Sequence, residues 1–246
     1  MAPIASGSGA GAKPIVSGKA GICGGAGRMI IGHYAAAMAA KKFAPRTSLG
    51  TLTAAAVFLD LLWPVLVLAG IEIVTVTPGA TAASPLTFVS YPWSHSLLMS
   101  IVWGILFATV YLVARRYAAG AAVLGLLVVS HWVLDWVVHV PDLPLLPTGG
   151  PRLGLGLWNS LPLSLAVELA LFAAGVWIYL GATRSRDRVG SWGFAGMILL
   201  MLLIYAGAVF GPPPPSADAV AWSDIGQWLI VALAAWVDRH RRANLT

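Results

Sequence analysis

The sequence predicts an all-α fold, a polytopic transmembrane helix bundle of about six spans preceded by a short membrane-associated or re-entrant helix. Three observations predict it. Of the 246 residues 59% are hydrophobic and 10% charged, with a mean hydropathy of +0.83, against roughly 25% charged in ordinary soluble domains. Apolar runs of about 18 to 22 residues recur along the chain, each long enough for a hydrocarbon core of about 30 Å. The basic residues cluster in alternate connections between those runs.

The runs lie near 49 to 70, 95 to 114, 119 to 140, 159 to 180, 191 to 210 and 220 to 237, and a shorter segment, 29 to 44, precedes them. Lys41, Lys42, Arg46, Arg115, Arg116, Arg184, Arg186, Arg188, Arg239, Arg241 and Arg242 occupy one set of connections, and Arg152 stands alone in the other, a ratio of eleven to one. The positive-inside rule puts the first set and the C-terminus in the cytoplasm of a bacterial inner membrane, with the loops 71 to 94 and 140 to 158 outside. Trp93, Trp158 and Trp222 then mark the outer interface, and Trp192 and Trp236 the inner one. "GPPPPS", 211 to 216, reads as a stiff turn, since consecutive prolines cannot continue a helix.

Residues 1 to 28 are rich in Gly, Ala and Ser and are expected to be disordered; Met29 offers an alternative start, and 29 to 246 reads as one transmembrane domain. The single Cys23 excludes a disulfide framework and any CxxC site. A net charge of +6 does not indicate a nucleic-acid partner, because the basic residues sit at the ends of apolar runs rather than on one basic face. The partner implied is the lipid bilayer.

Against this background the ionisable residues inside the spans stand out, because an acid at mid-membrane costs about 2.5 to 3.5 kcal/mol on insertion scales. Asp60, His131, Asp135 and Glu168 lie within spans, and His95 and His139 near outer helix ends. At 1.5 Å per residue Asp60 lies about 21 Å from Arg46, His131 and Asp135 about 21 and 27 Å from Tyr117, and Glu168 about 24 Å from Arg184. These levels overlap, so one outward-opening polar pocket can collect them. His131, Asp135 and His139 recur every four residues and share a helical stripe. Pro64 has no amide hydrogen and displaces the carbonyl of Asp60, which calls for polar surroundings. Ser94 reads as the cap of a helix whose first turn holds His95, where the dipole keeps imidazole neutral and fit for a metal.

Imidazoles and carboxylates without cysteine suit a divalent metal, zinc above all, with an open position for a reactive water. The plain alternatives are ordinary: HxxxD is also a hydrogen-bonded helical pair, His139 an interfacial histidine, and Glu168 a partner of another helix or of Ser164. His33, about 12 Å from Lys41 on a straight helix, reaches such a site only from a tilted or re-entrant segment. His240 reads as a solvated tail residue.

With "GHYAAA", "FLDLLWP", "YPWSHSLL" and "SHWVLDW" on the page, the chain resembles bacterial inner-membrane proteins classed as predicted membrane-bound metal-dependent hydrolases, whose motifs run GH, PDxD, HRGxTHS and HxxxD. The resemblance covers residues 29 to about 147 and is nearest to a six-span subgroup. It implies His33, Asp60, His95, His131 and Asp135 as metal ligands. Leu62 replaces the second acid of PDxD and Ser90 the early His, so it implies one ion rather than two. The expected function is hydrolysis of a phosphoester or other ester of a lipid or lipid-linked substrate, with Asp135, Glu168 and His139 handling protons. The alternatives from other classes are a proton- or cation-coupled transporter using Asp60, Asp135, Glu168 and His131 as a relay, bis-histidine haem ligation, and a catalytically silent scaffold. The transporter reading lacks inverted-repeat symmetry, and a retinal protein lacks a lysine in any span.

Overall fold

The computed structural model describes residues 31 to 244; the Gly/Ala-rich stretch 1 to 28 and the alternative start at Met29 lie outside them. Over the described residues the chain is an all-α bundle with almost no sheet. Its first helix, α1 (Ile31–Ala40), has eight of ten residues buried. At about 15 Å long it is half a span, and it sits inside the bundle rather than on its surface.

Next come α2 (Leu49–Ala56), capped by Ser48 accepting the Thr51 N–H, and α3 (Phe58–Leu68). The sequence reading treats 49 to 70 as one span, but the two helices are bent by 55° at Val57. Pro64 lies in the interior of α3, away from the bend. The bend falls where the His131 side chain bonds the Ala56 carbonyl at 2.8 Å, and a side chain inserted into the helical ladder is a recognised cause of kinks. An antiparallel hairpin, β1 (Ile73–Val76) and β2 (Leu86–Ser90), fills the following loop.

A four-residue helix α4 (Pro92–His95) leads into α5 (Leu97–Arg115). The cap of α5 is Ser96, which accepts the Met99 N–H; Ser94 is not a cap, and His95 ends α4 rather than opening the long helix. Arg116 reverses the chain at a left-handed φ of 49° into α6 (Ala118–Val138), after which His139 turns into extended backbone. The short pair β3 (Leu143–Pro144) and β4 (Arg152–Leu153) precedes α7 (Leu161–Ala182). Strand β5 (Thr183–Ser185), a π turn running into α8 (Phe194–Phe210), α9 (Ala217–Ile225), α10 (Gln227–Arg239) and β6 (Arg241–Ala243), paired with β5, complete the chain. Among the described residues five helical runs are long and apolar enough to cross a membrane, and the bent α2–α3 pair makes a sixth if counted as one span.

The basic connections gather at one end of the bundle. Lys41 Nζ meets Asp238 Oδ2 at 2.7 Å, and Arg241 bonds Thr183, Ser185 and Gly190. Of the tryptophans expected at the interfaces, Trp93, Trp192, Trp222 and Trp236 are exposed, whereas Trp158 is buried at 2% and packs its ring 4.2 Å from that of His139. Trp158 is therefore a wall of the interior, because the 140 to 158 loop folds inward through the Gly156 N–H bond to the His139 carbonyl.

Small residues set the helix spacing, as they do where lipid supplies no hydrophobic drive between helices. A Cβ on Gly175 of α7 would lie 2.6 Å from the Ala35 Cα and carbonyl oxygen of α1, and backbone cannot give way as a flexible side chain can. Gly175→Val is therefore expected to displace α1 and to cost about 1 to 3 kcal/mol. Gly181→Val, on the same helix with nothing within 4 Å of its Cβ, serves as the control. Thermal unfolding of the two variants in one detergent checks this: equal melting curves would contradict the tight α1–α7 contact.

Candidate metal centre

The bundle brings together side chains from four helices. His131 and Asp135 stand one turn apart on α6, with His131 Nε2 3.2 Å from Asp135 Oδ2. Asp60 projects from the first turn of α3, just past the bend; its Oδ1 lies 3.7 Å from His131 Nε2 and 3.5 Å from His95 Nε2. His95, at the end of α4, also lies 3.7 Å from Asp135 Oδ2. His33, on α1, places Nε2 3.2 Å from Asp135 Oδ1 and stacks its ring 3.7 Å from that of His131, only 4° from parallel. All are buried except Asp60, whose side chain is 17% exposed.

Hydrogen bonds on the far sides of the rings fix which nitrogen faces inward. The Ala56 carbonyl can only accept, so His131 Nδ1 carries a hydrogen, and in the neutral ring its Nε2 presents a lone pair. The same follows for His95 through two links. Ser94 Oγ donates to Glu72 Oε2 at 2.6 Å, so it must accept from His95 Nδ1 at 2.7 Å. Glu72 itself is buried and held by the backbone N–H groups of Trp93 and Ser94, each at 2.8 Å from Oε1. With both rings neutral, two bare imidazole nitrogens face the oxygens of Asp60 and Asp135. His131 Nε2 has no hydrogen-bond partner despite its 3.2 Å approach to Asp135, because the two atoms are not aligned for one. The His33 Nδ1 is likewise without a partner.

Lone pairs opposed to carboxylate oxygens repel unless a proton or a metal cation lies between them. The donor atoms form two overlapping groups, His33 with Asp60 and His131, and His95 with His131 and Asp135, within which all lie at most 4.8 Å apart. Ligands about 2.0 to 2.2 Å from a tetrahedral zinc stand about 3.3 to 3.6 Å from each other, and the imidazole-to-carboxylate separations across the cluster run from 3.2 to 3.7 Å. Each group alone meets the pattern of three protein ligands with an open position. Outer hydrogen bonds from Nδ1 to a carbonyl or hydroxyl are what metal-binding histidines need to hold their rings. These His and Asp groups can hold a metal ion, and the donor set fits one.

The other residues singled out from sequence lie around this cluster. His139, just beyond α6, gives its Nδ1 to Asp142 Oδ1 at 2.9 Å, and the Tyr91 hydroxyl donates to the same oxygen at 3.0 Å. Burial, followed by the Asp142 carboxylate, pushes the Tyr91 hydroxyl well above its ordinary value, so it stays protonated and keeps this bond. His139 shares with His33, Asp60, His95 and Asp135 the lining of a cavity of about 20 Å³, walled by Trp63, Phe88 and Trp158. In place of a wide pocket there is room for about one water. Glu168 stands outside the cluster; its Oε2 accepts the Ile31 N–H at 3.2 Å, at the start of α1. Ser164, the alternative partner considered for it, bonds the Leu157 carbonyl instead. His240 pairs with Asp187 at 2.7 Å on the surface.

Sequence reasoning missed Glu72 and the relay role of Ser94. The available signal was a lone carboxylate in "GIEIV", immediately after an apolar run. No family model, curated protein or solved structure matches the chain.

Proposed function

We propose that the protein is a metal-dependent hydrolase of the bacterial inner membrane, with its C-terminus in the cytoplasm, acting on a phosphoester or other ester of a lipid or lipid-linked substrate. The observation that carries this reading is the Nε2 of His131, buried, without a hydrogen-bond partner and set between two carboxylates whose charge a metal cation would balance. His33, Asp60, His95, His131 and Asp135 hold the ion, for which zinc suits the nitrogen and oxygen donors. The motif resemblance points the same way. When bound, zinc supplies Lewis acidity and brings water into the nucleophilic range near neutral pH.

The chain's own residues supply the rest. Asp142 takes the Nδ1 hydrogen of His139, which leaves Nε2 as the basic nitrogen beside the small cavity, suited to accept a proton from water or return it to a leaving group. Glu168 acts as a positioning residue, fixing the start of α1 two residues before His33. Asp60 faces a second space, a cavity of about 470 Å³ between α1, α8, α9 and α10 with Leu200, Ile204 and Leu229 in its walls. That apolar space supports a substrate whose chain enters from the side and whose ester reaches the centre at Asp60.

The test uses full-length protein in lipid nanodiscs, with metal measured by mass spectrometry and headgroup release measured from phospholipid. Stoichiometric zinc, release that stops with a chelator and returns with zinc, and a His139→Gln variant that keeps its metal but turns over at least about a hundred-fold more slowly are expected. Absence of retained metal, or movement of substrate across the bilayer without bond cleavage, would overturn the reading.

A further inference from the structure

A well-formed cavity lies away from the metal centre, at the basic end of the bundle. It holds about 650 Å³ between α5 and the start of α2 and α3. Phe58, Trp103, Leu106, Phe107 and Val110 wall one part of it, and Arg46 and Arg115 stand at its polar mouth beside Ser48, Thr51 and Tyr111. From Trp103 to Arg115 the groove follows α5 for about 18 Å, close to the depth of one leaflet, about 15 Å. The outer face of α5 is apolar and exposed at Val102, Ile105 and Val113, so the groove opens onto lipid.

The charge at the mouth is one-sided. Asp238 also lines it, but this carboxylate is engaged by Lys41 Nζ at 2.7 Å, the Tyr179 hydroxyl at 2.8 Å and the Leu49 N–H at 3.1 Å. Arg46 and Arg115 have no ion-pair partner among the described residues. The Arg46 guanidinium rests 4.6 Å over the Tyr117 ring, which holds the arginine without neutralising it. Two unneutralised guanidinium groups above a leaflet-deep apolar slot match a phosphate joined to a hydrocarbon chain, and basic pockets between spanning helices are where anionic headgroups bind.

We infer that this groove is a binding site for an anionic phospholipid, separate from the metal centre, with the headgroup phosphate on Arg46 and Arg115 and an acyl chain along Phe107, Leu106 and Trp103. A free phosphate would use the arginines and leave the apolar walls without a role.

Native mass spectrometry of the full-length protein, exchanged into detergent containing phosphatidylglycerol, phosphatidylcholine or inorganic phosphate, tests this. One phosphatidylglycerol per chain is expected, retained at least about ten-fold more strongly than phosphatidylcholine. Arg46→Gln with Arg115→Gln should remove that preference. Val110→Trp, which fills the groove and keeps both arginines, should lower retention by a similar factor. Arg184→Gln with Arg186→Gln, exposed at the same end, should leave it unchanged. Equal retention of phosphatidylcholine, displacement of the lipid by millimolar phosphate, an unaffected double variant, or equal loss in the Arg184 and Arg186 pair would each overturn the assignment.

Discussion

Asp135→Asn is expected to lower zinc affinity by more than about a hundred-fold while leaving the fold intact. Outer-shell partners of metal ligands are worth 10- to 100-fold in affinity, and a direct ligand lies beyond the upper end of that range. Asp135 is the residue closest to the centre of the cluster: its two oxygens reach His33 at 3.2 Å, His131 at 3.2 Å and His95 at 3.7 Å. Asparagine keeps the volume and removes the charge. Its amide can also donate to an inward Nε2, supplying the hydrogen that this nitrogen lacks, so the variant without metal loses nothing in hydrogen bonding. Metal titration into chelator-stripped protein, run beside a melting curve, separates the two effects. Unchanged affinity with unchanged melting would remove Asp135 from the ligand set and, with it, the reading of the cluster as a metal centre.

The helical architecture was legible because lipid imposes length and apolarity on every span, and alternate basic clusters separate one run from the next. Three of the five candidate ligands were nameable for a related reason: ionisable residues inside apolar runs are rare, so Asp60, His131 and Asp135 stand out on composition alone, whereas His95 stood out by its place near an outer helix end and His33 entered through the motif resemblance. Partnership was not legible. In a bundle whose lipid-facing sides are as apolar as its interior, periodicity does not report which face of α6 meets α3. Nor does it reveal that the ten-residue α1 is enclosed by longer helices, which is what brings His33 to the cluster from a position that a straight helix starting at Lys41 leaves too shallow. The bend at Val57 carries no glycine or proline of its own and coincides with a bond to the Ala56 carbonyl from His131, 75 positions away in the chain. Trp158 carries the composition of an interfacial residue and is buried by a loop hydrogen bond that no local pattern encodes. Glu72 was passed over because a carboxylate beside the end of a span reads as solvated; its bonds to Ser94 and Trp93 cross 22 and 21 residues.

Glu72→Gln is the sharper test of how the site is held, since it preserves shape and alters only the direction of a hydrogen-bond chain. In the native arrangement the carboxylate takes the Ser94 hydroxyl hydrogen, Ser94 takes the His95 Nδ1 hydrogen, and Nε2 is left bare toward Asp60 and Asp135. Glutamine can keep its carbonyl oxygen on the Trp93 and Ser94 N–H groups, which puts its amide nitrogen against Ser94 Oγ. That nitrogen only donates, so Ser94 must turn its own hydrogen to His95 Nδ1, and the imidazole carries its hydrogen on Nε2, pointing into the cluster. A metal then meets an N–H where it needs a lone pair. Zinc affinity is expected to fall by about 10- to 100-fold with little change in melting temperature, and wrong-tautomer substitutions of this kind are known to disable sites whose geometry is otherwise intact. Imidazole nitrogen chemical shifts report the tautomer directly. A native His95 tautomer and native affinity in Glu72→Gln would show that the relay does not govern the ligand, and a shifted tautomer without loss of affinity would show that His95 is not one of the groups holding the ion.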